Sequence, residues 1–120
     1  MAEYMILLFD DETAWASASP EEYDRMLKAH GRFQEQCVEL GGKIVNSNAL
    51  QPSTTATSVR GDVVTDGPFA ETKEALGGYY LIEATDLDQA LAVAKLCPAG
   101  FGGVEVRPVL EITDTTTMGG

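Results

Sequence analysis

His30 is the only histidine in the sequence, and histidine is the side chain whose unperturbed titration falls near neutral pH. It sits among apolar residues spaced three or four apart, so a helix would hold its ring partly out of water, where protonation responds to a neighbouring carboxylate. Such a group can move a proton as a general acid or base. The same residue can equally be a core histidine satisfied by a backbone or carboxylate partner. Cations are scarce, 8 Lys+Arg against 19 Asp+Glu. Lys73 and Arg107 are candidates to hold a substrate carboxylate, Arg107 through a bidentate fork, although salt bridges to Glu71, Glu74 or Glu105 account for them as well. Tyr4, Tyr79 and Tyr80 can line a pocket with a hydroxyl handle, or pack with a wet tip.

Other chemistries find little support. One histidine and two distant cysteines lack chelating spacing, and only acidic ligands such as Asp10, Asp11 and Glu12 cluster, so neither a metal nor a cofactor is expected. There is no phosphate-cradling glycine loop, no Gly-x-Ser-x-Gly elbow and no dinucleotide fingerprint; the glycines between Gly100 and Gly103 have the wrong spacing. Cys37 and Cys97 have no Cys-x-x-Cys spacing and fall on apolar helical faces, which predicts buried free thiols.

The elements that must position these groups are marked along the chain. Glu3 to Phe9 carries Met5-Ile6-Leu7-Leu8-Phe9 and reads as a strand apolar on both faces. The segment through Ala18, with the only tryptophan, Trp15, reads as an ordered loop or a short helical turn. Ser19-Pro20-Glu21-Glu22 is a capping-box start for a helix from Pro20 to about Leu40, with the stripe Tyr23, Met26, Leu27, His30, Phe33 and Cys37, stopped by Gly41-Gly42. Lys43 to Leu50, Thr54 to Arg60 and Val63 to Thr65 read as a meander of short antiparallel strands, with a tight turn at Gly61-Asp62. Asp66-Gly67-Pro68-Phe69 must be a turn. Leu76 to Ala84 reads as a central strand, again apolar on both faces. Asp86-Leu87-Asp88-Gln89 caps a second helix with the stripe Leu87, Ala90, Leu91, Ala94 and Cys97, stopped by Pro98. A last strand runs from Gly103 to about Ile112, with Pro108 marking a sheet edge or bulge.

This order predicts an α+β chain of the ferredoxin-like, split βαβ kind, an antiparallel sheet with two helices on one face. The helices shield half of a sheet whose central strands are apolar on both sides, which leaves a patch larger than soluble monomers tolerate. A second copy laid face to face, a homodimer, is the economical cover, with a pocket expected near the seam. The alternative cover is the loop at 10–18 or the C-terminal tail.

Residues 1–112 are expected to form a single domain and 113–120, polar and glycine-ended, a flexible tail. The net charge of -11 disfavours direct nucleic-acid binding and points to small molecules or other proteins as partners. No apolar run approaches the roughly 18 to 20 residues that cross a bilayer, and Met5 to Phe9 lacks a basic leader or cleavage site, so a cytoplasmic protein with no membrane contact is expected.

The run Asp66-Gly67-Pro68-Phe69-Ala70-Glu71-Thr72-Lys73-Glu74, followed by Leu76-Gly77-Gly78-Tyr79-Tyr80-Leu81-Ile82-Glu83, closely resembles the DGPF group of YCII-related proteins. The likeness extends to Tyr4-Met5-Ile6-Leu7-Leu8, to His30, to Asp86-Leu87-Asp88-Gln89-Ala90 and to Val106-Arg107-Pro108, covering about residues 3 to 110. It implies a dimeric α+β barrel. It also implies a helix histidine paired with an aspartate, for which Asp66 is the candidate, although Asp66 could simply order its own turn. Two functions follow. One is a cofactor-independent isomerase or lyase, or a small-molecule binder, in which His30 and Asp66 move a proton on an acidic or carbonyl-containing substrate held by Arg107 or Lys73. The other is a noncatalytic protein-interaction or regulatory module that meets a basic partner and is linked, through relatives associated with sigma factors, to transcription initiation.

Overall fold

A computed structural model of the chain describes residues 1–112; the tail expected at 113–120 lies outside the described residues. The order is β1 (Ala2–Asp11), α1 (Glu12–Ala16), α2 (Pro20–Glu39), β2 (Lys43–Ala49), a 3₁₀ turn (Ser53–Thr55), β3 (Thr57–Arg60), β4 (Val63–Asp66), β5 (Glu74–Ala84), α3 (Leu87–Ala94) and β6 (Gly102–Pro108). The main sheet has the order β2-β5-β1-β6, with every pairing antiparallel. The two long strands lie at its centre and each is followed by a helix, which is the ferredoxin-like arrangement expected from the element order.

Local chemistry fixes the helix ends. The Ser19 hydroxyl accepts the Glu22 backbone N–H at 3.2 Å and the Glu22 carboxylate accepts the Ser19 N–H at 3.3 Å, so two otherwise orphaned donors are satisfied at the start of α2. Gly41 ends the helix at φ 89°, backbone that glycine adopts without a side-chain clash. Asp86 accepts from the Gln89 N–H at 2.9 Å to start α3.

The core lies between the helices and one face of the sheet. Tyr4, Ile6 and Leu8 of β1 and Tyr80, Ile82 and Ala84 of β5 pack against Phe33 and Cys37 of α2 and Ala90, Val93 and Ala94 of α3. The stripe expected on the second helix is corrected here: Leu87 and Leu91 are exposed, while Ala90, Val93 and Ala94 are buried. Small side chains at this spacing let α3 lie close on the sheet, which turns the two leucines outward.

Side chains of opposite parity point away from both helices. Met5 stands beside Leu81 and Arg107, and Leu7 beside Tyr79 and Glu105, so an apolar centre is flanked by charged residues. This second face carries neither helix.

The expected meander of short antiparallel strands is also corrected. β3 and β4 pair only with each other, as a separate hairpin inserted between β2 and β5. Val59, Val63 and Val64 on it are exposed. Gly67 closes its foot, donating its N–H to the Ala56 carbonyl at 2.8 Å and accepting the Ser58 hydroxyl at 2.6 Å. The radius of gyration is 16.3 Å, above the about 14 Å of a compact chain of this length, as a protruding hairpin requires.

Candidate functional site

The N-terminal half of α2 does not sit down on the sheet. Phe33 and Cys37 are fully buried, yet earlier on the same stripe Tyr23 is 43% and Leu27 is 67% exposed. Tyr23 packs on α1 instead, its ring centroid 5.4 Å from that of Trp15 and its hydroxyl donating to the Trp15 carbonyl at 3.2 Å. The space left between α1, the N-terminal half of α2 and the sheet is an open cavity of about 960 Å³, in the range of small-molecule sites.

Strand residues that face the helices, Leu8, Ser47, Gly78 and Tyr80, form its floor, and Met26, Leu27 and His30 form one wall. Trp15 and Tyr23 close another, with Phe101 edge-on to Trp15 at 4.8 Å. Gly78 is required: a Cβ there would stand 2.9 Å from the Asn48 carbonyl oxygen. The cavity therefore lies on the helix side within one chain, not at the seam of two sheet faces.

His30 reaches into this space from α2. Its Nδ1 lies 2.8 Å from the Tyr80 hydroxyl and the two rings stack with centroids 5.9 Å apart. With Nδ1 engaged, Nε2 is the ring nitrogen left for a ligand. If Nδ1 accepts the phenol proton, Nε2 presents an N–H; if Nδ1 donates to the phenol oxygen, Nε2 presents a lone pair. Burial holds the imidazole below its ordinary pKa, partly offset by the charge of Asp10. Burial likewise raises Tyr80, opposed by a hydrogen bond from Gln34 and assisted by Cys97, so both groups stay neutral near pH 7.

Asp10, at the end of β1, lines the cavity and accepts the Phe101 backbone N–H at 2.9 Å. Burial and then the same carboxylate push the Cys97 thiol up to about 12, and burial also raises Cys37. Both cysteines are free. Glu12 is held by the Ser53 N–H at 2.7 Å and by the Ser53 hydroxyl, which fastens α1 to the turn after β2.

The residues singled out in the sequence disperse. Asp66 is exposed at the end of β4, paired with Thr57, and does not line the cavity; the hairpin that carries it leaves the main sheet, so the carboxylate whose charge reaches His30 is Asp10. Arg107 stands beside Met5 on the helix-free face and pairs with Glu105 at 2.8 Å, which puts the sheet between it and His30. Lys73 is exposed, lies outside the cavity lining, and its charge acts on Asp11. Tyr4 is buried in the core; Tyr79 is among the residues lining the cavity, but its side chain lies beside Leu7 on the helix-free face, where its hydroxyl accepts from the Asn48 amide at 2.9 Å.

Sequence reasoning missed Asp10 as a wall residue. The signal was present: carrying the alternation Tyr4, Ile6, Leu8 one step further puts Asp10 on the helix face. Among the described residues no helix is long and apolar enough to cross a membrane.

An uncharacterized protein of Rhizobium meliloti (strain 1021) is 40% identical over 113 residues, spanning 88% of this chain and 90% of that protein. The family model of the YCII-related domain matches residues 2–113. With its ferredoxin-like sheet, the chain belongs to the YCII-related domain family.

Proposed function

We propose that this protein binds a small organic molecule in the cavity beneath α2, with His30 as the group that moves a proton on it, and that it works as a homodimer. The observation that carries the reading is the 2.8 Å contact of His30 Nδ1 with Tyr80 on the wall of a cavity of about 960 Å³. A histidine satisfied on one nitrogen, neutral near pH 7 and aimed into an apolar space has the protonation and orientation that general acid–base chemistry needs. Tyr80 fixes the ring, and the charge of Asp10 favours the imidazolium that forms when His30 takes a proton. The dimer is supported by the helix-free face, where Met5, Leu7, Tyr79 and Leu81 are only half-buried in the single chain.

A thermal-shift screen of small organic compounds on wild type and His30→Ala tests this, because a ligand stabilises only the state that holds it. Compounds that raise the melting temperature of wild type more than that of His30→Ala are expected. A screen in which no compound discriminates between the two proteins would overturn the assignment of His30.

The rival, an interaction module linked to transcription initiation, draws on the β3–β4 hairpin, where Val64 is 66% and the nearby Phe69 65% exposed. Capture of a basic protein partner that is lost at high salt yet unaffected by His30→Ala would favour it.

A further inference from the structure

The cavity has a charge as well as a shape. Of its lining residues, the acidic ones are Asp10 and Glu12, and no lysine or arginine is among them. Both ion pairs among the described residues, Lys28 with Asp24 and Arg107 with Glu105, lie elsewhere. Asp10 and Glu12 are therefore held by hydrogen bonds from Phe101 and Ser53 but by no cation. Those hydrogen bonds occupy carboxylate oxygens but bring no positive charge to them. Three aromatic side chains, Trp15, Tyr23 and Tyr80, line the same cavity, and aromatic rings attract cations through their quadrupole.

We infer that the cavity selects an organic ammonium ion carried on an apolar body, and rejects carboxylates and phosphates of the same shape. The inference rests on the reading of this cavity as a ligand site. It reverses the expectation of an acidic substrate held by Lys73 or Arg107, since both stand outside. A carboxylate entering would meet two uncompensated like charges in a partly dry space and would lose its hydration there. An ammonium group would supply the missing counter-charge, while its hydrocarbon body covers Met26 and Leu27. The influence of the Asp10 charge on His30 indicates that this carboxylate is felt inside the cavity.

Three probes of one shape and different charge test the rule: 2-phenylethylamine, 2-phenylethanol and 3-phenylpropionate. Trp15 is the only tryptophan and lines the cavity, so its emission reports binding directly. The amine is expected to bind about tenfold tighter than the alcohol at neutral pH, with the acid weakest. Asp10→Asn, which keeps an oxygen to accept from Phe101, should narrow the amine's advantage over the alcohol, with Glu12 left as the remaining carboxylate. Ala16→Lys, a change at an exposed position of the lining, should move preference toward the acid and serves if the Asp10 variant folds poorly.

Equal binding of amine and alcohol in wild type, or tighter binding of the acid, would overturn the charge rule and leave the cavity as a ligand site. Absence of any emission change with all three probes would overturn both.

Discussion

His30 Nδ1 and the Tyr80 hydroxyl meet at 2.8 Å across the gap between α2 and β5, and Phe33 supports the phenol edge-on with ring centroids 4.8 Å apart. The contact ties the helix to the floor of the cavity at the point where its N-terminal half begins to stand away. Tyr80→Phe keeps the ring and its packing but leaves the imidazole without its partner. A destabilisation of about 1 kcal/mol in urea unfolding is expected, together with weaker discrimination between ligands at His30. An unchanged unfolding midpoint would mean that the hydrogen bond contributes nothing to holding the helix.

Because His30 is the only histidine, its imidazole gives a single set of ring proton resonances that can be followed through a pH titration. Burial lowers its pKa from the ordinary 6.5 and Asp10 acts in the opposite direction. The midpoint is therefore expected below that of a free imidazole, and lower still in Asp10→Asn. The sign for stability follows by linkage: between the folded pKa and 6.5 the unfolded chain binds more protons than the native one. The contribution of a neutral His30 is thus full above the unfolded pKa and is lost as pH falls through the folded value. The stability difference between wild type and His30→Asn should shrink on acidification from about pH 7.5 to about pH 5. A midpoint in the native protein above the free value would refute the buried, neutral assignment.

Much of this architecture was legible because it is local. The capping box at Ser19 and Glu22, the left-handed Gly41 and the apolar runs of β1 and β5 are decided by near neighbours in the chain. The cavity was not legible, because it depends on α1 drawing Tyr23 off the sheet, a contact between two segments with no periodic signature. Asp66 drew attention because it begins a recognisable run, yet its place is set by the β3–β4 hairpin leaving the main sheet. The partner of His30 is Tyr80, fifty positions away, a pairing fixed by register rather than by composition.

Gly102 is the place where the backbone leaves no room. It pairs with Asp10 at the start of β6, and a Cβ built on it would run into the Phe9 carbonyl oxygen. Its neighbour Gly103 has nothing within 4 Å of the same position. Gly102→Ala should therefore cost about 3 kcal/mol, the upper end for overpacking, and disturb the Asp10 end of the cavity, while Gly103→Ala changes stability little. Chemical denaturation of the two variants side by side checks this, and equal stabilities would contradict the close approach.

The proposed homodimer makes the sharpest demand on the helix-free face. Leu81 stands there between Met5 of β1 and Asn46 of β2, while the core on the opposite face depends on Ile82, Ile6 and Phe33. Replacing Leu81 with Lys would bring two like charges together about a twofold axis without touching that core. Wild type is expected to sediment at twice the mass of one chain. Leu81→Lys should sediment as a single chain with an unchanged far-ultraviolet circular dichroism spectrum, its dissociation constant raised by at least about a hundredfold. Because the cavity lies on the other side of the sheet, Leu81→Lys should still bind cavity ligands. Wild type that stays a single chain at high concentration would leave the apolar face without its proposed cover.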